Sequence, residues 1–378
     1  MEYRKTKQGD AISTIGVGCS HFHEISPKEM DLLISFAIEQ GINLLDSATS
    51  YLEPFNILGP VLKGRRDKLF YQMYLGLTFP NGQYVRTRKI NEVHKAFEEQ
   101  LRLLGTDYTD IAFIHCVDEP EDYKNVFDSG VYDYAEKLKK EGKARYIGFA
   151  SHTIDICHRF LQDADFDFCM LSINPAYDLD PVNNIPFDGL DMAGLDQLAV
   201  SKDRFSFYKE CEKRDINIQV MKPYGGGILL NSETSPFEQA MSVPQCLQYA
   251  LDRPAVLSCL LGVRDKQELK DAIGYYTASK EERDYSFVAG LQHKDMRGTC
   301  VYCNHCLPCP ADIDIGAVHK YLDLTLAGDQ LAREHYLSLS KRASDCTQCG
   351  SCEDNCPFHV EVREKMEQAV RCMEAPSL

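Results

Sequence analysis

From the N-terminus to about residue 280, short apolar runs alternate with amphipathic stretches. The runs 15–19, 43–48, 69–75, 110–116, 145–151, 168–174, 218–223 and 257–263 show little polar alternation, which predicts strands covered on both faces. Between them, residues 27–40 place Leu32, Leu33, Phe36 and Ala37 at helical spacing and stop at Gly41. Residues 91–104 do the same with Val93, Phe97, Leu101 and Leu104 and stop at Gly105. Residues 133–141 end at Gly142, and 265–275 open on Asp265, a favourable helix start. Eight strand–helix units in succession predict a parallel sheet, and eight strands close a (β/α)8 TIM barrel. A doubly wound sheet is the alternative, but the turn after Cys19 lacks the G-x-G-x-x-G of its dinucleotide-binding form.

Hydrophobic residues make up 44% of the 378, which excludes disorder as the main state. No run of about 18 apolar residues exists, so no membrane span is expected. Residues 1–5 lead straight into polar sequence without an apolar signal core, which predicts a cytoplasmic protein. The formal charge of −16 repels nucleic acid and anionic lipid and excludes both as main partners.

In a barrel of this kind the chemistry sits at the C-terminal ends of the strands. Those ends are polar here: Ser20, His21 and His23 after the first, Asp46 to Tyr51 after the second, and His115 after the fourth. Ser151 and His152 follow the fifth, Asn174 the sixth, and Lys222 with Gly225, Gly226 and Gly227 the seventh. Residues 41–51, reading G-I-N-L-L-D-S-A-T-S-Y, resemble the signature of the aldo/keto reductases, with its Asp and, five residues later, its Tyr. Residues 101–115 resemble the helix and strand that deliver the family's histidine, and 142–152 resemble its fifth strand. The resemblance covers about three quarters of the chain. It implies a (β/α)8 barrel, a nicotinamide cofactor, NADP(H), and carbonyl–alcohol chemistry on a small molecule. It implies Tyr51 as proton donor, His115 as the group that orients the substrate oxygen, and Asp46 as partner of a lysine that acidifies Tyr51.

That lysine is absent: after Arg66, Asp67 and Lys68, Tyr74 stands in its place at the end of the third strand. Lys68 is six strand residues, roughly 20 Å, away at the barrel floor. Met221 occupies the position where family members stack an aromatic ring on the nicotinamide. The resemblance assigns Ser151, His152, Asn174, Lys222, Gly225, Gly226, Gly227 and Arg264 to cofactor binding.

Cysteine marks the other half of the chemistry. Of 16 cysteines, eight fall within residues 300–356. The other eight (Cys19, Cys116, Cys157, Cys169, Cys211, Cys246, Cys259 and Cys372) read as small buried hydrophobes in a reducing compartment. Cys300-x2-Cys303-x2-Cys306-x2-Cys309-Pro310 is followed by Cys346-x2-Cys349-x2-Cys352-x3-Cys356-Pro357. The second run is the bacterial ferredoxin spacing, and the first is that spacing less one residue. Three cysteines of each run wrap one [4Fe–4S] cluster and the fourth, before proline, serves the neighbouring one. Cluster one then takes Cys300, Cys303, Cys306 and Cys356, and cluster two takes Cys346, Cys349, Cys352 and Cys309. All-cysteine zinc is the competing reading, but it leaves both Cys-Pro endings unexplained. Residues 315–342 read helical, with Val318, Tyr321, Leu322, Leu324, Leu326, Leu331, Tyr336 and Leu339 on the apolar face. The chain thus divides into a barrel at 1–285 and a helical ferredoxin-type domain at 286–378. This second domain resembles that of the iron–sulfur branch of the aldo/keto reductases.

Clusters pass one electron at a time, whereas a nicotinamide delivers a hydride. The leading expectation is an oxidoreductase whose barrel binds a carbonyl- or alcohol-bearing small molecule and exchanges electrons through the clusters, with a protein such as a ferredoxin as redox partner. An ordinary NADPH-dependent carbonyl reductase with structural or regulatory clusters is the second, and a non-enzymatic electron-transfer module the third.

Overall fold

The computed structural model describes residues 1–178, 202–237, 239–290, 298–302, 304–326, 332–356 and 358–374. Two compact units emerge. The first comprises residues 1–224 and 241–292, the second 225–240 and 293–378.

Eight parallel strands close the first unit's barrel: β1 (Ile15–Gly18), β2 (Leu44–Asp46), β3 (Phe70–Leu75), β4 (Thr109–Ile114), β5 (Ala144–Ser151), β6 (Phe168–Ser172), β7 (Asn217–Met221) and β8 (Val256–Gly262). Neighbours around the barrel are neighbours in sequence, and β8 returns to β1 with Cys259 opposite Ile15. Nearly every strand residue is buried, as expected of strands with side chains inside and helices outside. All eight runs read from the hydrophobic pattern are these strands, with ends displaced by one or two residues.

Local signals set the covering helices. Helix α1 (Pro27–Glu39) opens on a Ser26–Glu29 capping box with proline in its first turn. Helix α2 (Glu53–Leu62) follows β2, and α3 (Ile90–Leu104) stops at Gly105 in a left-handed cap at φ 67°. The apolar face of α1 is Met30, Leu33, Ile34, Phe36 and Ala37; Leu32, expected on it, is 55% exposed. Leu32, Leu33 and Ile34 are consecutive and so spread over about 200° at 100° per residue; they cannot share one face, and Leu32 is the one turned outward. Around the barrel follow α4 (Pro120–Asp128), α5 (Val131–Lys140), α6 (Ile154–Asp163), α7 (Lys202–Lys213), α8 (Val243–Leu251) and α9 (Lys266–Ile273), the last capped by the Asp265 carboxylate.

In the second unit, α10 (Ile315–Leu326), α11 (Ala332–Leu337) and α12 (Val362–Ala369) support the two cysteine runs. Val318, Leu322 and Tyr336 are buried as expected, but Leu326 is 54% exposed, and Leu339 lies beyond the end of α11. Leu331 falls outside the described residues. No helix among the described residues is long and apolar enough to cross a membrane.

Candidate functional site

At the C-terminal end of β2, Asp46 is buried beside Tyr74 from β3, whose hydroxyl donates to Asp46 Oδ1 at 2.6 Å. The Tyr74 hydroxyl also meets the Met170 sulfur at 3.2 Å. A neutral phenol therefore fills the place of the expected ammonium. Burial raises the Asp46 pKa to about 6, with the Tyr74 hydrogen bond opposing the rise. Tyr74 itself is pushed well above the ordinary tyrosine value, by burial and then by the Asp46 charge. It stays protonated and donates to Asp46.

His115 follows β4, with its ring edge-on to Tyr74 at 5.0 Å and to Tyr84 at 5.3 Å. Burial, then Arg88 and Arg86, hold its pKa well below the usual histidine value, so the imidazole is neutral. Arg88 binds the His115 carbonyl at 2.7 Å and the Asp122 carboxylate, and Arg86 binds the Cys116 carbonyl at 3.0 Å. Tyr51 lies in the loop after β2, half-buried, with its ring 4.6 Å from that of His23 and its backbone bridged to Gln83.

A second array lies at the ends of β4, β5 and β7. Asp118 accepts from the His152 backbone N–H at 2.6 Å, from the Ser151 hydroxyl at 3.2 Å and faces His152 Nδ1 at 3.1 Å. Lys222 Nζ lies 2.7 Å from His152 Nε2. These partners assign the tautomer: Nδ1–H donates to the carboxylate, and Nε2 accepts from the ammonium. Burial alone would raise the Asp118 pKa, but His152 holds it well below the usual carboxylate range. Burial and then Lys222 lower that of His152. Cys116 Sγ is 3.6 Å from His152 Nδ1, and Cys116, Asp118 and His152 lie close enough to share a metal ion. A metal on Nδ1 would put the proton on Nε2, donor against donor at Lys222, so the trio reads as a hydrogen-bonded relay. The backbone is left-handed at both Cys116 (φ 38°) and Lys222 (φ 56°), conformations that cluster at functional sites. Sequence reasoning missed Asp118 altogether. Its position three residues after His115 was the available signal.

The remaining residues assigned to a nicotinamide cofactor are placed as follows. Asn174 is buried and donates to the Lys222 carbonyl at 2.9 Å. Arg264 pairs with Glu24 at 3.1 Å and Glu268 at 3.2 Å. Gly225, Gly226 and Gly227 all have positive φ and fall in the second unit. There, a Cβ on Gly226 would come within 2.7 Å of the Val301 carbonyl oxygen. Gly226 is thus required by the close approach of the backbone beside Cys300.

The two cysteine runs of the second unit share a local geometry. Tyr302 N–H donates to Cys300 Sγ and Gln348 N–H to Cys346 Sγ, both at 3.4 Å. Tyr302 (φ 55°) and Gln348 (φ 58°) are both left-handed, as are Asn304 and Gly350 two residues on, so both loops curl around their thiols. One cavity, of about 320 Å³ and partly open to solvent, is lined by Cys300, Cys306 and Cys356. The other, of about 360 Å³, is lined by Cys309, Cys346, Cys349 and Cys352. Each combines thiols from both runs; Cys303 lies outside the described residues. Backbone and hydroxyl contacts at Ser351 lower the pKa of Cys349, whereas burial pushes Cys352 up to about 11, a proton that metal must displace. Apolar walls around clustered thiols fit iron–sulfur chemistry. Of the scattered cysteines, Cys372 is exposed, contrary to expectation, because it lies on the outer side of the last helical turn; the other seven are buried.

Comparison with known proteins accords with this geometry. Residues 14–187 match the aldo/keto reductase family model, and 292–361 match that of a 4Fe-4S dicluster domain. The chain is 25% identical over 286 residues, covering 71% of its length and 90% of the relative, to the uncharacterized oxidoreductase YqkF of Bacillus subtilis (strain 168). It spans 63%, 49% and 56% of three further curated relatives. The holo form of an aldo-keto reductase from Bacillus halodurans superposes with a TM-score of 0.57 at 20% identity, covering 78% of this chain and 97% of that one. An aldo/keto reductase from Klebsiella pneumoniae, solved with NADP and acetate, gives 0.54 at 16% identity, covering 77% and 95%. With the closed barrel, the polar strand ends and the paired cysteine loops, these matches make the chain an oxidoreductase with an aldo/keto reductase domain over residues 14–187 and a 4Fe-4S dicluster domain over residues 292–361.

Proposed function

We propose that this oxidoreductase interconverts a carbonyl and an alcohol on a small molecule at the barrel mouth, with electrons exchanged through two [4Fe–4S] clusters. Cys300, Cys303, Cys306 and Cys356 hold one cluster, and Cys346, Cys349, Cys352 and Cys309 the other. Bound clusters supply single electrons, and reduction of a carbonyl consumes two of them with two protons. Tyr51 delivers one proton to the substrate oxygen, which neutral His115 orients by hydrogen bonding, and solvent water supplies the second, to the carbonyl carbon. Asp118, His152 and Lys222 keep a cation at the opposite strand ends, where it balances charge on that oxygen. A protein such as a ferredoxin is the electron partner. In this reading the barrel takes residues 1–285 and the ferredoxin-type domain 286–378, whereas the compact units divide after residue 292 and put 225–240 in the second.

The observation that carries this reading is the Tyr74 hydroxyl on Asp46. With a neutral phenol there, the lysine that acidifies the family's tyrosine for hydride-driven protonation is missing. A second reading keeps NADP(H) on the barrel, as in the Klebsiella pneumoniae enzyme, against Ser151, His152, Asn174, Lys222 and Arg264.

The test compares donors on anaerobically purified protein with a panel of aldehydes and ketones. Reduced ferredoxin should support more turnover than NADPH, and Tyr51→Phe should cost ~10²-fold or more. Brisk NADPH-dependent reduction, undiminished when the clusters are removed, would establish the second reading instead.

A further inference from the structure

His319 is fully buried on α10, and neither ring nitrogen closes a hydrogen bond of proper geometry. The Val362 backbone is close enough to influence the ring but does not complete such a bond. A buried polar group left without a partner is destabilising, so an imidazole here calls for an explanation. Its neighbours Phe358, Val360 and Val362 would be packed as well by leucine, with nothing left unsatisfied. What distinguishes the place is the cavity that the ring lines, with Cys300, Cys306 and Cys356.

A thiolate-bound cluster presents sulfurs that accept hydrogen bonds, and imidazole carries at least one N–H in either protonation state. We infer that His319 donates a hydrogen bond to a sulfur of the cluster held by Cys300, Cys303, Cys306 and Cys356, and makes that centre the easier of the two to reduce. The inference rests on the two-cluster reading above.

Among the described residues, the other cavity has no histidine on its walls. Ile313, Ile315, Val362 and Met366 surround the thiols there. Its one cation, Arg363, is half exposed and paired with Glu353 at 2.7 Å, which together with solvent screens its charge. Hydrogen bonds to cluster sulfurs raise the reduction potential, whereas an apolar wall leaves it low. Ile315 and Val362 line both cavities, so a single layer of side chains separates the two sites. Two adjacent centres of unequal potential fix where the first electron rests. His319 is therefore a positioning residue for electrons and not a cluster ligand.

The experiment is a redox titration of the anaerobic full-length protein followed by electron paramagnetic resonance, with iron and sulfide counted in each sample. Wild type should show two reduction steps. His319→Leu should move the upper step to more negative potential by roughly tenfold in the reduced-to-oxidised ratio, about 59 mV for one electron. The lower step should stay in place, and His319→Gln, which retains an N–H donor, should recover part of the shift. Unchanged steps in a fully loaded His319→Leu protein would overturn the inference and leave the N–H with Val362. If that variant loses iron, wild type decides: an exchangeable proton coupled to the more easily reduced centre in deuterated solvent upholds the hydrogen bond. No such coupling, or a directly bonded nitrogen, overturns it. Failure of the two-cluster reading would appear separately, as wild-type iron well short of about eight per chain.

Discussion

Replacing Tyr74 by phenylalanine removes one oxygen and isolates the charge of Asp46. The lost bond is a 2.6 Å donation to a buried carboxylate, worth about 1.5–3 kcal/mol for a charged acceptor. At about 1.4 kcal/mol per pKa unit, Asp46 should rise one to two units from its value of about 6. At pH 7 the side chain would then go from mostly ionised to about half protonated or more. Tyr74→Lys should do the reverse. An ammonium ~4 Å away contributes ~4 kcal/mol at an effective dielectric of 20, enough to bring Asp46 below its ordinary value. Infrared difference spectra of the protonated carboxyl band between pH 5 and 9, with Asp46→Asn for assignment, read the midpoint directly. The linkage has a definite sign. A raised carboxylate pKa means that the folded state holds the proton more tightly than the unfolded chain. Asp46 thus costs nothing below about pH 4, and the cost grows to on the order of 3 kcal/mol as pH rises through about 6. Equal midpoints in wild type and Tyr74→Phe would refute the account of Tyr74 as the donor that keeps this carboxylate ionised.

Cys309→Ala should damage the centre bound by Cys346, Cys349 and Cys352, and Cys356→Ala the centre bound by Cys300 and Cys306, because each cavity takes thiols from both runs; distinct spectra for each centre in the two variants check this. Gly226→Ala should destabilise the second unit by more than about 1 kcal/mol, since its φ of 73° and the Val301 carbonyl at 2.7 Å both oppose a Cβ. Loss of iron on mild heating, compared with Gly227→Ala, where a Cβ meets nothing within 4 Å, separates crowding from φ strain.

Much of this molecule follows from local pattern. Parallel barrel strands are buried on both faces, so their apolar runs are continuous and their number is countable in the chain. The cysteine spacing reads as iron–sulfur chemistry because three thiols on a short loop must face one centre. The exchange of lysine for Tyr74 is equally legible once the strand has been aligned by its Arg66-Asp67-Lys68 lead. The tertiary structure decided what depends on groups distant in sequence. Leu32 and Leu33 are adjacent and alike, and only packing turns one outward. That Gly226 must be glycine is plain only once Val301, 75 residues later, is found against it. Asp118 stands three residues after His115, but its role exists only when β5 brings His152 beside it and β7 brings Lys222. His319 reads as one more position on a helix face, and its meaning depends on a cavity closed by cysteines 13 to 37 residues away along the chain. Hydrophobic periodicity is a property of neighbours along the chain, whereas a hydrogen bond or a cavity wall requires the whole fold to place its second half.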